Sequence, residues 1–143
     1  MSQPRSRRSS MKLVLVIVAA LVALCCCGGG AVGLFFFNSA TKAAGEATSA
    51  FLTDLEAGNL TGAYDRLCAA TRSRFEPPAF AEVVDRRKPV AHDVHWGGGY
   101  NTSNGRETAS ITADVSYAGG GRDAHTFQLL KESGTWKVCG DPY

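Results

Sequence analysis

The sequence predicts an α+β domain of three helices packed on a curved four-stranded antiparallel sheet, carried behind an N-terminal transmembrane helix. Three observations predict this. Leu13–Phe37 form an uncharged apolar run. The stretch after it repeats apolar residues at three- and four-residue spacing, as a helix face does. The last third alternates apolar and polar residues between glycine-rich turns, as strands do.

The apolar run comes first. At about 1.5 Å per residue, about 25 helical residues reach ~37 Å, and a bilayer core is about 30 Å thick. A domain of ~100 residues has no interior that could surround such a helix on all sides. Arg5, Arg7, Arg8 and Lys12 precede the run, and no acidic residue lies among them. The positive-inside rule then places residues 1–12 in the cytoplasm, residues 13–37 in the membrane and residues 38–143 outside. Membrane lipid is thus the expected partner of residues 13–37. A cleaved signal peptide has a shorter apolar core, of about 7–15 residues. Gly28–Gly30 divide the run, however, and Asn38-Ser39-Ala40 offer small residues, so cleavage stays open. Cys25–Cys27 read as small apolar side chains in lipid, with acylation open as well; Leu24 is not the small residue that a lipoprotein signal places before its cysteine.

The outer part carries 11 of the 15 Lys and Arg and all 13 Asp and Glu, a net of about −2. The chain's formal +2 therefore comes from the tail, and the domain has no nucleic-acid signature. Two cysteines remain outside the run, Cys68 and Cys139. An even count in an extracytoplasmic domain suggests a disulfide between the second helix and the last strand. No C-x-x-C or paired His/Cys spacing suggests a metal, and no motif suggests a cofactor.

Within the domain, Ala43, Ala47, Ala50, Phe51 and Leu55 mark the first helix, and Gly58 stops it. A second helix starts at Asn59 or Thr61, with Leu60, Ala63, Tyr64, Leu67 and Cys68 as its apolar stripe. Pro77-Pro78 open a third, with Phe80, Val83 and Val84 inside. Arg86, Arg87 and Lys88 close it as a solvated, dipole-compatible end, and Pro89 bars continuation. Val90–Tyr100 is the first strand, and Asn101–Gly105 holds an Asn-Gly hairpin signal. In Arg106–Tyr117, Ala109, Ile111, Ala113, Val115 and Tyr117 alternate with polar residues. Ala118–Gly121 turns, and Arg122–Lys131 and Thr135–Cys139 complete a meander. Gly97–Gly99, inside a strand-like stretch, read as a bulge or a close approach. One conflict stands. Trp136 and Val138 share a face and Cys139 points to the other, so reaching a helix-borne Cys68 would turn Trp136 outward or require a bulge.

The layout resembles the nuclear transport factor 2-like (cystatin-like) superfamily. More narrowly, it resembles a family of small membrane-anchored proteins of unknown function from high-GC Gram-positive bacteria. The residues that carry this are Phe51-Leu52 with Leu55, Gly58-Asn59, Ala63-Tyr64 with Leu67-Cys68, Thr71–Phe75, and the terminal Trp136-Lys137-Val138-Cys139. The resemblance covers nearly the whole outer domain and implies a cone-shaped fold with the same Cys68–Cys139 pair. It carries no function, because each matching residue has a core or disulfide role.

Related folds such as ketosteroid isomerase and scytalone dehydratase use carboxylates or histidines in a pocket between helices and sheet. The candidates here are Asp93, Asp114, His92, His95 and His125. Asp114 falls on the polar face of its strand. His92 and His95 point to opposite faces, and His125 shares a face with Phe127 and Leu129. With no nucleophile elbow, phosphate loop or metal spacing, the expectation is a non-catalytic binding module for a small apolar ligand or a protein partner. A pocket enzyme and a membrane-bound assembly component, dimerising through the sheet, are the alternatives.

Overall fold

The computed structural model describes residues 38–141. The tail, the apolar run and Cys25–Cys27 lie outside the described residues. The chain is helical over residues 38–56, here α1. Gly58 ends α1 at φ +73°. The Gly58 amide donates to Leu55 O at 3.1 Å and the Asn59 amide to Asp54 O at 2.8 Å, the paired bonds of a Schellman cap. The buried stripe is Ala44, Thr48, Phe51, Leu52 and Leu55. It is turned from the expected one: Ala43, Ala47 and Ala50 sit at its margins. Alanine is small enough to flank either face, so its spacing locates a stripe poorly.

The expected second helix is shorter than its apolar stripe, and a helix not expected follows it. In α2 (Leu60–Asp65) Asn59 caps the N-terminus, its side chain accepting from the Gly62 amide. The helix then stops, and α3 (Ala69–Arg74) starts with Cys68 as its N-cap. Between them, the Cys68 amide donates to Val138 O at 2.8 Å and the Val138 amide to Arg66 O at 2.9 Å. Leu67 thereby forms a parallel bridge with Val138. The backbone here pairs with a sheet edge instead of continuing a helix. The fourth helix, α4 (Pro77–Arg86), begins on the expected prolines and buries Phe80 and Val84.

Strands β1 (Pro89–Ser103), β2 (Arg106–Tyr117), β3 (Arg122–Glu132) and β4 (Thr135–Cys139) form one antiparallel sheet in the order β1-β2-β3-β4. The first hairpin is tighter than expected. Only Asn104 and Gly105 lie between the strands, both at positive φ, as a type I′ turn requires. The helices cover one face. Ala109, Ile111, Ala113, Val115 and Tyr117 of β2 meet Phe127 and Leu129 of β3 there, and Phe51 packs edge-on to Phe127 with centroids 6.2 Å apart. The other face is polar, with Thr112 and Thr126 hydroxyls paired at 2.9 Å.

Cys68 and Cys139 are joined in a disulfide with Cα atoms 5.3 Å apart. The conflict over Trp136 resolves without a bulge. Trp136 and Val138 both belong to the core. Cys68 lies on no helix above the sheet; it approaches Cys139 from the strand edge through the Leu67–Val138 bridge. Buried Thr71 ties the following residue as well, its Oγ1 accepting from the Gly140 amide at 3.0 Å.

Candidate functional site

Functional groups gather where α1 meets edge strand β1. Ser49 and Glu56 are seven residues apart on α1, about two turns, and so share one stripe. His92 pairs with Val115, which puts it on the helix-facing side of β1. Its ring bridges the two: Nε2 lies 2.8 Å from Ser49 Oγ and Nδ1 lies 2.6 Å from Glu56 Oε1. The His92 and Glu56 side chains are 13% and 23% exposed, so the link is partly withdrawn from solvent.

The neighbouring stripe of α1 carries a second pair. Asp54 accepts from Arg66 Nε at 2.6 Å and from Asn59 Nδ2 at 3.0 Å. The Arg66 hydrogen bond is the main cause holding the Asp54 carboxyl below the usual range, against the opposing effect of burial. Beside these groups is an open cleft of about 390 Å³ whose walls include Ser49, Thr53, Asp54, Arg66 and Trp96. On the other side of Trp96 a second cleft, about 300 Å³, is lined by Asn38, Thr41, Lys42 and Gly97.

Serine, imidazole and carboxylate stand in the order of a hydrolase triad. A triad also needs donors aimed at the oxyanion. Ser49 lies well inside α1, where backbone amides are committed to carbonyls four residues back. The arrangement therefore fastens α1 to β1 more readily than it activates a nucleophile.

The other candidates are dispersed. His95 is on the opposite face from His92, as expected, with Nε2 3.3 Å from Asp114 Oδ2. Asp114 also accepts from Arg122 at 2.8 Å, and His95, then Arg122, hold its pKa down. Asp93 is exposed opposite Asp114. His125 stands edge-on to Phe127 at 4.6 Å, and burial pushes its pKa down. Near it, Arg87 departs from the solvated end expected of it. Its Nη2 donates to Asp123 Oδ2 at 2.6 Å, and its guanidinium lies 4.0 Å from the Tyr117 ring centroid. Tyr117 donates to Asp123 Oδ1 at 2.8 Å, and burial first, then Asp123, pushes its hydroxyl up to about 12. Among the described residues no group of three or more His, Cys, Asp or Glu could hold a metal ion.

Ser49 and Glu56 were not sequence candidates. Their seven-residue spacing was legible; their alignment with His92 depends on how α1 lies along β1. No protein-family model matches the chain, and no curated protein matches it.

Proposed function

We propose that this chain is a single-pass membrane protein whose domain, residues 38–143, is a non-catalytic binding module outside the cytoplasm. It meets a small apolar ligand or a protein partner at the α1–β1 cleft. The observation that carries the reading is the aromatic core. Phe51, Phe80 and Phe127 are fully buried between helices and sheet, where a pocket enzyme would keep its cavity. Polar groups gather instead on an open surface, already bonded to one another. The disulfide supports an oxidising compartment, and the apolar run with its basic tail supports the orientation. Helices leading into a meander with one covered face also support membership of the nuclear transport factor 2-like superfamily, in the membrane-anchored bacterial family. Dimerisation through the sheet is disfavoured, because Ser110, Thr112, Asp114, Thr126 and Gln128 make the outer face polar.

The Ser49–His92–Glu56 line favours a second reading, a surface hydrolase, and a serine-reactive fluorophosphonate separates the two. With the full chain in membranes, Ser49 should react no faster than it does in His92→Ala. A stoichiometric adduct on Ser49, lost in His92→Ala, would make the domain an enzyme.

A further inference from the structure

The wall of the α1–β1 cleft and the disulfide meet in one short segment. Arg66, which lines the cleft, stands two residues before Cys68. Its Nε donates to Asp54 Oδ2 on α1 at 2.6 Å, and its carbonyl accepts from the Val138 amide at 2.9 Å. Val138 directly precedes Cys139. Three further bonds run alongside. Lys137 Nζ donates to Asp65 O at 2.7 Å, the Cys68 amide to Val138 O at 2.8 Å, and the Gly140 amide to Thr71 Oγ1 at 3.0 Å. Residues 65–71 are thus stitched to residues 137–140, and the Cys68–Cys139 bond is the covalent stitch.

The seam lies at the margin of the core. Phe51 of α1 packs on Phe127 of β3, and β1, β2 and β3 pair with one another in register. β4 is five residues long and stands at the edge of the sheet. A short edge strand opens at lower free energy than the centre of a sheet. The seam can therefore part while α1 stays packed on the first three strands.

We propose that the Cys68–Cys139 bond is a redox-sensitive clasp on the cleft: oxidised, it holds Arg66 against Asp54; reduced, it frees the α2–α3 junction from β4 and lets Arg66 leave the wall. This rests on the reading of the α1–β1 cleft as the binding site and adds a control to it. The reductant is a dithiol. Cys139 is partly exposed and Cys68 fully buried, so attack falls on the Cys139 sulfur. A donor thiolate forms a mixed disulfide with Cys139, and Cys68 leaves as a thiolate, with Thr71 Oγ1 3.4 Å from its sulfur to hydrogen-bond it. The donor's second thiolate then attacks the mixed disulfide and releases Cys139. Two electrons and two protons pass to Cys68 and Cys139, and the donor becomes a disulfide.

The Asp54 carboxyl reports on the wall without a ligand, since the Arg66 hydrogen bond is the main cause holding its pKa down. Asp114 on the outer sheet face, held down by His95 and then Arg122, serves as the reference. Both are titrated by carbon-13 NMR in the full chain in detergent micelles, oxidised and after dithiothreitol, with sucrose present to favour the compact state. On reduction the Asp54 pKa should rise while that of Asp114 stays low. Coupling is reciprocal, so Asp54→Ala should raise the dithiol fraction in a glutathione buffer about threefold. Asp123→Ala, which breaks the Arg87 pair instead, should leave that fraction unchanged. An Asp54 pKa that stays low after reduction overturns the proposal, and so does a bond that resists dithiothreitol. A joint rise of Asp54 and Asp114 overturns it too, because reduction then unfolds the domain as a whole. Equal effects of Asp54→Ala and Asp123→Ala do the same. Each of these outcomes leaves the cleft standing as a binding site, which photocrosslinking from Thr53 tests separately.

Discussion

Replacing Cys68 by serine should lower the unfolding free energy of the domain by about 4 kcal/mol in urea titration. The bond closes a loop across a sequence separation of 71 residues, and restricting so long a loop in the unfolded chain accounts for about 4 kcal/mol in the chain-entropy model. Small domains have about 5–15 kcal/mol in all, so the variant sits near the threshold of folding. The position sharpens the effect. Cys68 is fully buried beside Thr71, and the Leu67–Val138 bridge and the Thr71–Gly140 bond lie within three residues of the disulfide. All three hold the α2–α3 junction to the edge of β4, so losing one loosens the others. Cys68→Ser with Cys139→Ser should lie within about 0.5 kcal/mol of the single variant, since both remove the same constraint. The single variant alone should form intermolecular dimers through Cys139 under oxidising conditions.

Phe127→Ala should cost about 3–5 kcal/mol, measured the same way. Phe127 is 1% exposed, packs edge-on against Phe51 and carries the ring of His125 at 4.6 Å. It lies on the sheet face that α1 covers. Gln128, the next residue, points to the polar outer face and is exposed. Gln128→Ala should change stability by no more than about 0.5 kcal/mol. Comparable losses at both positions would mean that the β3 register is wrong.

The strands were legible because each depends on nearby residues. Asn104-Gly105 specifies its turn through two positive φ angles, and the β2 alternation shows which face is buried. The cysteine pair was legible from its even count in a domain expected outside the cytoplasm. The break after Asp65 was not, because its cause is the edge of β4, which comes some 70 residues later in the sequence. Leu67 is buried whether it belongs to a helix or to a strand-like bridge, so hydrophobic spacing cannot separate the two. The site was legible only in part. His92 was a candidate from its residue type, but Ser49 and Glu56 became its partners through the packing of α1 on β1. The glycines at 97 and 98 indicated a bulge, whereas the close seat of the Trp96 ring on α1 depends on Gly45, some fifty residues earlier.

The proposed binding of the domain through the α1–β1 cleft has a direct test. A photoreactive benzophenone side chain placed at Thr53 in the cleft wall, and separately at Gln128 on the outer sheet face, tests it in intact cells. A discrete, mass-defined adduct is expected from Thr53, lost when Arg66→Glu reverses the charge beside it, and none from Gln128. An adduct from Gln128 with none from Thr53 would rule out the cleft and place the working surface on the sheet.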